Sequence, residues 1–165
     1  MKIAALIAVA SLVAATFSFA DEATDKPDNA GFAKMKSLAG AWKGKTPDGK
    51  DATVTYRIVS AGHAVEEHLS FADMITMYHE DGDNVMLTHY CAGNNQPRMR
   101  ASYKAGDKRM DFSFVDASNL PDLNAMHMHT VNFTFVEADH IKAEWSHYNA
   151  GKQAGSIVFD LTRGK

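Results

Sequence analysis

Five side chains carry most of the coordinating and nucleophilic chemistry of this sequence: His89, Cys91, His127, His129 and His147. Four of them form two i, i+2 pairs, His89 with Cys91 and His127 with His129, a spacing that puts both members on one face of a β-strand. Imidazole, thiolate and thioether are the ligands that zinc, copper and haem iron take. Met74 and Met99 add thioethers if the fold brings them to the same level. The set therefore predicts a metal or haem site, with haem or Cu/Zn as the cofactor. If the strands stand too far apart for one ion, it predicts instead a histidine-lined mouth on an organic-ligand pocket. The plainest alternative is a solvated rim where histidines gather without binding anything.

Other chemistries fit less well. His89, Tyr90 and Cys91 contain a base and a nucleophile, but same-face neighbours on a strand point in parallel, and no third group orients the base. No catalytic residue is assigned for that reason. Asp81-Gly82-Asp83-Asn84 has the opening of a calcium loop without its remaining ligands or its terminal bidentate acid, and suits a hairpin turn. Arg98, Arg100, Lys104, Lys108 and Arg109 sit beside Asp107 and Asp111 and describe a solvated face. A net charge of -3 argues against nucleic-acid or anionic-lipid partners.

The elements that must position these residues are strands. Phe32, Met35, Lys36 and Leu38 suit a short helix ended by Gly40, after which the apolar period becomes two. About ten strands follow, at 40–46, 52–60, 63–70, 73–80, 83–91, 97–105, 108–116, 127–136, 140–148 and 155–163. Two-residue turns at Ala61-Gly62, Asp81-Gly82 and Gly106-Asp107 set Tyr56 opposite Glu67 and Ile58 opposite Val65. They also set Thr76 opposite Leu87, Met74 opposite His89, Tyr78 opposite Val85, Tyr103 opposite Met110 and Ala101 opposite Phe112. A three-residue loop at Glu137-Ala138-Asp139 sets Phe135 opposite Ile141, Val131 opposite Trp145 and His129 opposite His147.

One face is apolar throughout, and no long amphipathic helix is available to cover it, so the sheet should close on itself. The fold class is all-β: an up-and-down antiparallel β-barrel with a short N-terminal helix plugging one end. An outer-membrane barrel needs an apolar exterior, and this one carries Thr53, Arg57, Glu66, His68, Arg100, Lys104, Asp111, Asn132, Lys142 and Glu144. Inside, Tyr56, Glu67, Thr76, Tyr78 and Tyr103 face a cavity among Ile58, Leu87, Phe112, Phe133 and Trp145. Glu67 needs a partner there, and Tyr56 directly opposite is the expected one. Strand directions bring His89, Cys91, His127, His129 and His147 to the end of the barrel away from the helix.

Met1-Lys2, the apolar run Ile3 to Val13 and Ser18-Phe19-Ala20 before Asp21-Glu22 have the order of a cleavable secretory leader. Residues 1–20 are read as a signal peptide, 21–30 as a flexible linker and 31–165 as a single barrel domain. The product is expected in the periplasm or secreted, without stable membrane insertion. Cys91 is the only cysteine, so no internal disulfide staples the fold and no lipidated cysteine stands at the cleavage point.

The helix leading into Gly40-Ala41-Trp42 resembles the G-x-W opening of the lipocalin and fatty-acid-binding (calycin-type) superfamily. Arg163 in the last strand resembles the basic residue that packs on that tryptophan. In a barrel with an even number of strands these two meet at one end, where a guanidinium over an indole contributes about 0.5–2 kcal/mol. The stretches Met74 to His79, Leu87 to Cys91, Asn95 to Met99 and His127 to His129 also resemble an uncharacterised family of secreted bacterial barrel proteins. The signatures of haem-binding nitrobindins, which share a ten-stranded barrel, are not found here.

The expected function is to hold a small, largely apolar molecule in the barrel. The expected contacts are Tyr56, Glu67, Thr76, Tyr78, His89, Cys91, His129, Trp145 and His147, with Trp42 and Arg163 structural.

Overall fold

The computed structural model describes residues 27–46 and 48–164. The expected leader and the expected linker up to residue 26 lie outside the described residues. The elements are α1 (Ala30–Lys36), β1 (Gly40–Lys45), β2 (Asp51–Val59), β3 (Ala64–Leu69), β4 (Met74–Asp81), β5 (Asn84–Tyr90), β6 (Gln96–Ser102), β7 (Arg109–Ser118), β8 (His127–Glu137), β9 (His140–Asn149) and β10 (Lys152–Arg163). Every strand pairs antiparallel with its sequence neighbours, and β1 also pairs β10, closing the barrel and leaving no free edge. Among the described residues no helix is long and apolar enough to cross a membrane.

The helical end is built as the G-x-W resemblance implies. Trp42 and Arg163 are register partners, and the guanidinium carbon lies 4.3 Å from the indole ring centre. Trp42 Nε1 donates to Leu38 O at 2.7 Å, while Arg163 donates to Ala39 O at 2.7 Å and Ser37 O at 3.0 Å. Those carbonyls follow α1, so one side chain closes the barrel seam and satisfies the helix exit. At the other end of α1, Asn29 Oδ1 accepts from Phe32 N–H at 2.8 Å, and Asn29 Nδ2 donates to Gly82 O and Asn84 O in the β4–β5 turn. Asn29 and Ala30, expected to belong to the linker, are therefore the cap and first residue of the helix. Phe32, Met35 and Leu38 fill the barrel end beneath it.

Two registers differ from those expected, each for a local reason, and a third irregularity lies in β10. The β4–β5 turn is Gly82-Asp83 rather than Asp81-Gly82, with Asp81 paired to Asn84 and Gly82 at φ +62. Glycine takes that left-handed position without strain. The two-residue shift keeps every face but changes neighbours: Thr76 lies opposite His89, and Tyr78 opposite Leu87. In β8 the register slips between Met128 and Thr130, so Met128 rather than His129 pairs His147. In β10 it slips between Gln153 and Gly155. The expected pairs Tyr56–Glu67, Ile58–Val65, Val131–Trp145 and Phe135–Ile141 are present.

The half of the barrel nearer α1 is solid. Tyr56, Tyr78, Leu87, Met99, Met110, Phe112 and Phe133 are fully buried. Tyr78 and Phe112 meet edge to face at 5.8 Å, and Phe112 and Phe133 at 6.2 Å, arrangements that add about 0.5–1.5 kcal/mol per pair beyond burial. Ile58, expected inside, is 48 % exposed near the end of β2. Tyr103 packs on Phe135 and turns its hydroxyl to Asp107 O at 2.9 Å.

Candidate functional site: a cavity at the open end

Packing stops short of the end opposite α1. There a cavity of about 310 Å³ is lined by Leu69 at the end of β3, Phe71 and Ala72 in the β3–β4 turn, and Met74 at the start of β4. His89, Cys91, Ala92 and Gly93 supply the β5 side, Met126 and Met128 the entry into β8, and Trp145, His147, Ile157 and Phe159 the β9–β10 side. This volume lies at the small end of the range for ligand sites.

Local backbone features shape the wall. Ala72 and Asp73 have φ of +55 and +51, which holds a tight rim after β3. Cys91 Sγ accepts from Gly93 N–H at 3.3 Å, and Asn95 Nδ2 donates to Met126 O at 2.9 Å, tying the β5–β6 loop to the segment before β8. A Cβ on Gly93 would stand 2.9 Å from Met126 Cε, and one on Gly155 would stand 2.8 Å from His147 Cε1. Bare backbone at those two positions therefore lets the methionine and the imidazole approach the wall closely.

One polar row crosses the barrel beneath the cavity. Tyr56, Glu67, Thr76 and His89 are successive register partners on β2, β3, β4 and β5. Tyr78 Oη donates to Glu67 Oε2, and Thr76 Oγ1 and His89 Nδ1 are 2.9 Å apart. Tyr56 is not the partner of Glu67: its buried hydroxyl has no hydrogen bond. Burial raises the Glu67 carboxyl from 4.5 to about 7, against the lowering effect of the Tyr78 bond. Burial alone takes the His89 imidazole from 6.5 down to about 4. The His89 ring also packs on Trp145, with centroids 4.7 Å apart.

Of the nine expected contacts, His89, Cys91, Trp145 and His147 line the cavity. Tyr56, Glu67, Thr76 and Tyr78 lie below it, inside the packed core. His129 is displaced by the β8 slip. It stacks on Tyr148 at 3.8 Å and on Phe114 at 4.8 Å, and its Nδ1 is 3.0 Å from Nε2 of His127. His127 is itself buried, with Nδ1 2.8 Å from Ala125 O. The five-residue coordination set is thus divided: three members line the cavity and two form a separate aromatic cluster. Among the described residues no three His, Cys, Asp or Glu side chains are placed to hold a metal ion.

Met128 takes the inward place expected of His129, which alternation alone could not reveal. Ile157 and Phe159 on β10 pair Trp145 and Ala143 and share their inward face. Phe71, Ala72, Ala92, Gly93 and Met126 come from connections, where no periodicity marks them.

No family model and no curated protein matches the chain. Solved structures do. Rv2717c from M. tuberculosis superposes with a TM-score of 0.56 at 13% identity, covering 84% of this chain and 100% of that one. A protein of unknown function from the DUF3598 family of Nostoc punctiforme gives 0.57 at 15%, over 79% of this chain and 48% of its own length. At such identities the likeness is one of fold: this chain is a closed ten-stranded antiparallel barrel with structural neighbours in M. tuberculosis and Nostoc punctiforme.

Proposed function

We propose that this protein is an exported small-molecule binder whose open barrel end holds one compact, largely apolar ligand. His89, Cys91 and His147 surround the ligand's polar end. The observation that carries the reading is the cavity itself: an apolar space of about 310 Å³ left in an otherwise close-packed barrel, with the few polar side chains gathered in its wall. Apolar lining with a few placed polar groups is how small-molecule sites are built.

The test is saturable 1:1 binding of the neutral fluorophore N-phenyl-1-naphthylamine. Ile157→Trp, which fills the cavity, should abolish binding, and Val158→Trp on the outer face of the same strand should leave it intact. Equal binding by both variants refutes the reading. Export rests on the leader-like residues 1–20, and a mature N-terminus at Asp21 in the periplasmic or culture fraction is its check.

A second reading, a soft metal or haem, is favoured by one observation. Thioethers of Met74, Met126 and Met128 share the cavity wall with His89, Cys91 and His147. Metal content and the visible spectrum of protein purified from its native compartment decide it. Colourless, metal-free protein that ignores added Cu(I), zinc and haem excludes it.

A further inference from the structure

If the cavity is a small-molecule site, its depth and its wall say what kind of apolar body it holds. His89 lines the cavity, but two residues away on the same face of β5 Leu87 is fully buried, and so are its register partners Tyr78 and Met99. The space therefore ends at that level, and an alkyl chain has no room to run along the barrel axis. An apolar cavity of about 150 Å³ holds benzene, so about 310 Å³ has room for one or two rings.

The wall is built mainly from rings and sulfur. Phe71, Trp145 and Phe159 bring aromatic side chains and Met74, Met126 and Met128 bring thioethers, while the aliphatic share is Leu69, Ile157 and two alanines. Phe71 reaches from the β3–β4 turn to Phe159 on β10, with ring centroids 6.4 Å apart. Phe71 and Met126 remain 44 % and 42 % exposed, so a ring and a thioether stand at the mouth outside the packed core. Both kinds of side chain gain from an aromatic guest what a saturated one cannot give: sulfur meets the ring edge, and neighbouring rings pack on it edge to face. His89, Cys91 and His147 suit the same guest whichever of them donates. A ring face accepts from N–H or S–H, and a ring edge meets a lone pair.

We propose that the apolar body of the ligand is an arene of one or two rings rather than an alkyl chain, held by the aromatic and thioether side chains of the wall. This rests on the cavity being a binding site.

Toluene and methylcyclohexane share a carbon skeleton and differ in the π system, and headspace gas chromatography gives the affinity of each without a reporter. After each association constant is divided by the compound's partition coefficient from water into cyclohexane, toluene should be favoured by about 3- to 30-fold. Met126→Leu, at the exposed rim, should lower that preference by about 2-fold or more and leave methylcyclohexane binding unchanged. Along the series from 1-butanol to 1-decanol, the gain of about fourfold per methylene should cease before the longest chain. In protein labelled with methyl-13C methionine, the ring current of bound toluene should move the methyl resonances of Met74, Met126 and Met128. Those of Met35 and Met110, in the packed core, should stay in place.

Equal normalised affinities, a preference that Met126→Leu leaves unaltered, alkanols that keep their increment to 1-decanol, or three unmoved wall methyls with toluene bound each overturn the proposal. Each also leaves the cavity reading standing, because a ligand has bound. If toluene, methylcyclohexane, the alkanols and N-phenyl-1-naphthylamine all fail to bind, both fall together.

Discussion

Glu67 places an ionisable group where the barrel is driest, and its replacement by glutamine has a calculable consequence. In the folded protein its carboxyl titrates at about 7 instead of 4.5, because burial penalises the charged form more than the Tyr78 hydrogen bond favours it. The native state therefore holds this proton more tightly than the unfolded chain does. The contribution of Glu67 to stability is complete below pH 4.5, falls as pH rises, and is gone above about 7. At about 1.4 kcal/mol per pH unit the full span is about 3 kcal/mol.

Glu67→Gln keeps the shape and an acceptor for Tyr78 but has nothing to ionise. The variant should match the wild type near pH 4.5 and be more stable by about 3 kcal/mol at pH 8. Urea unfolding at half-unit pH intervals measures this. The difference between the two proteins is the quantity to follow, because His89 works in the opposite sense. With its pKa lowered from 6.5 to about 4, its contribution is present above pH 6.5 and is lost as pH falls toward 4, and this cancels in the difference. Tyr56 and Tyr78, which face Glu67 from β2 and β4, have phenols pushed up by burial, out of this window. A stability difference that stays flat with pH would refute the reasoning, as would a glutamine variant less stable at pH 8.

Two further substitutions probe the same accounting. Tyr56→Phe removes a buried hydroxyl that has no partner, so it should leave stability unchanged or raise it by about 1 kcal/mol in urea unfolding; a loss above 1 kcal/mol would show that the hydroxyl is satisfied in solution. Arg163→Ala removes the indole contact and the bonds to Ser37 O and Ala39 O, and should cost about 2–3 kcal/mol while ligand affinity at the opposite end stays the same. The exposed Asp139 partner of Arg163 adds little to that figure.

The fold was legible because the information for it is redundant. Alternation repeats along every strand, and closure follows from one uncovered apolar face, so misplacing the β4–β5 turn by one residue left the architecture intact. That error shifted the pairing by two residues, and a shift of two returns each side chain to its own face. It still hid the central contact of the site: alternation put both Thr76 and His89 inside, but only the Gly82-Asp83 turn makes them neighbours.

Bulges act differently, because they shift the pairing by one. A single extra residue in β8 exchanges Met128 for His129 at the cavity wall, and a slip in β10 brings Gly155 under His147. Each moves one or two side chains, so each costs the fold almost nothing and changes what the cavity presents. Alternating hydrophobicity carries no mark of such a slip, since Met128, His129 and Thr130 fit a strand in either register. The assignment of five converging ligands failed at that one residue. The three that remained in the cavity, His89, Cys91 and His147, are those whose strands keep an unbroken register up to the cavity or whose bulge lies on the partner strand.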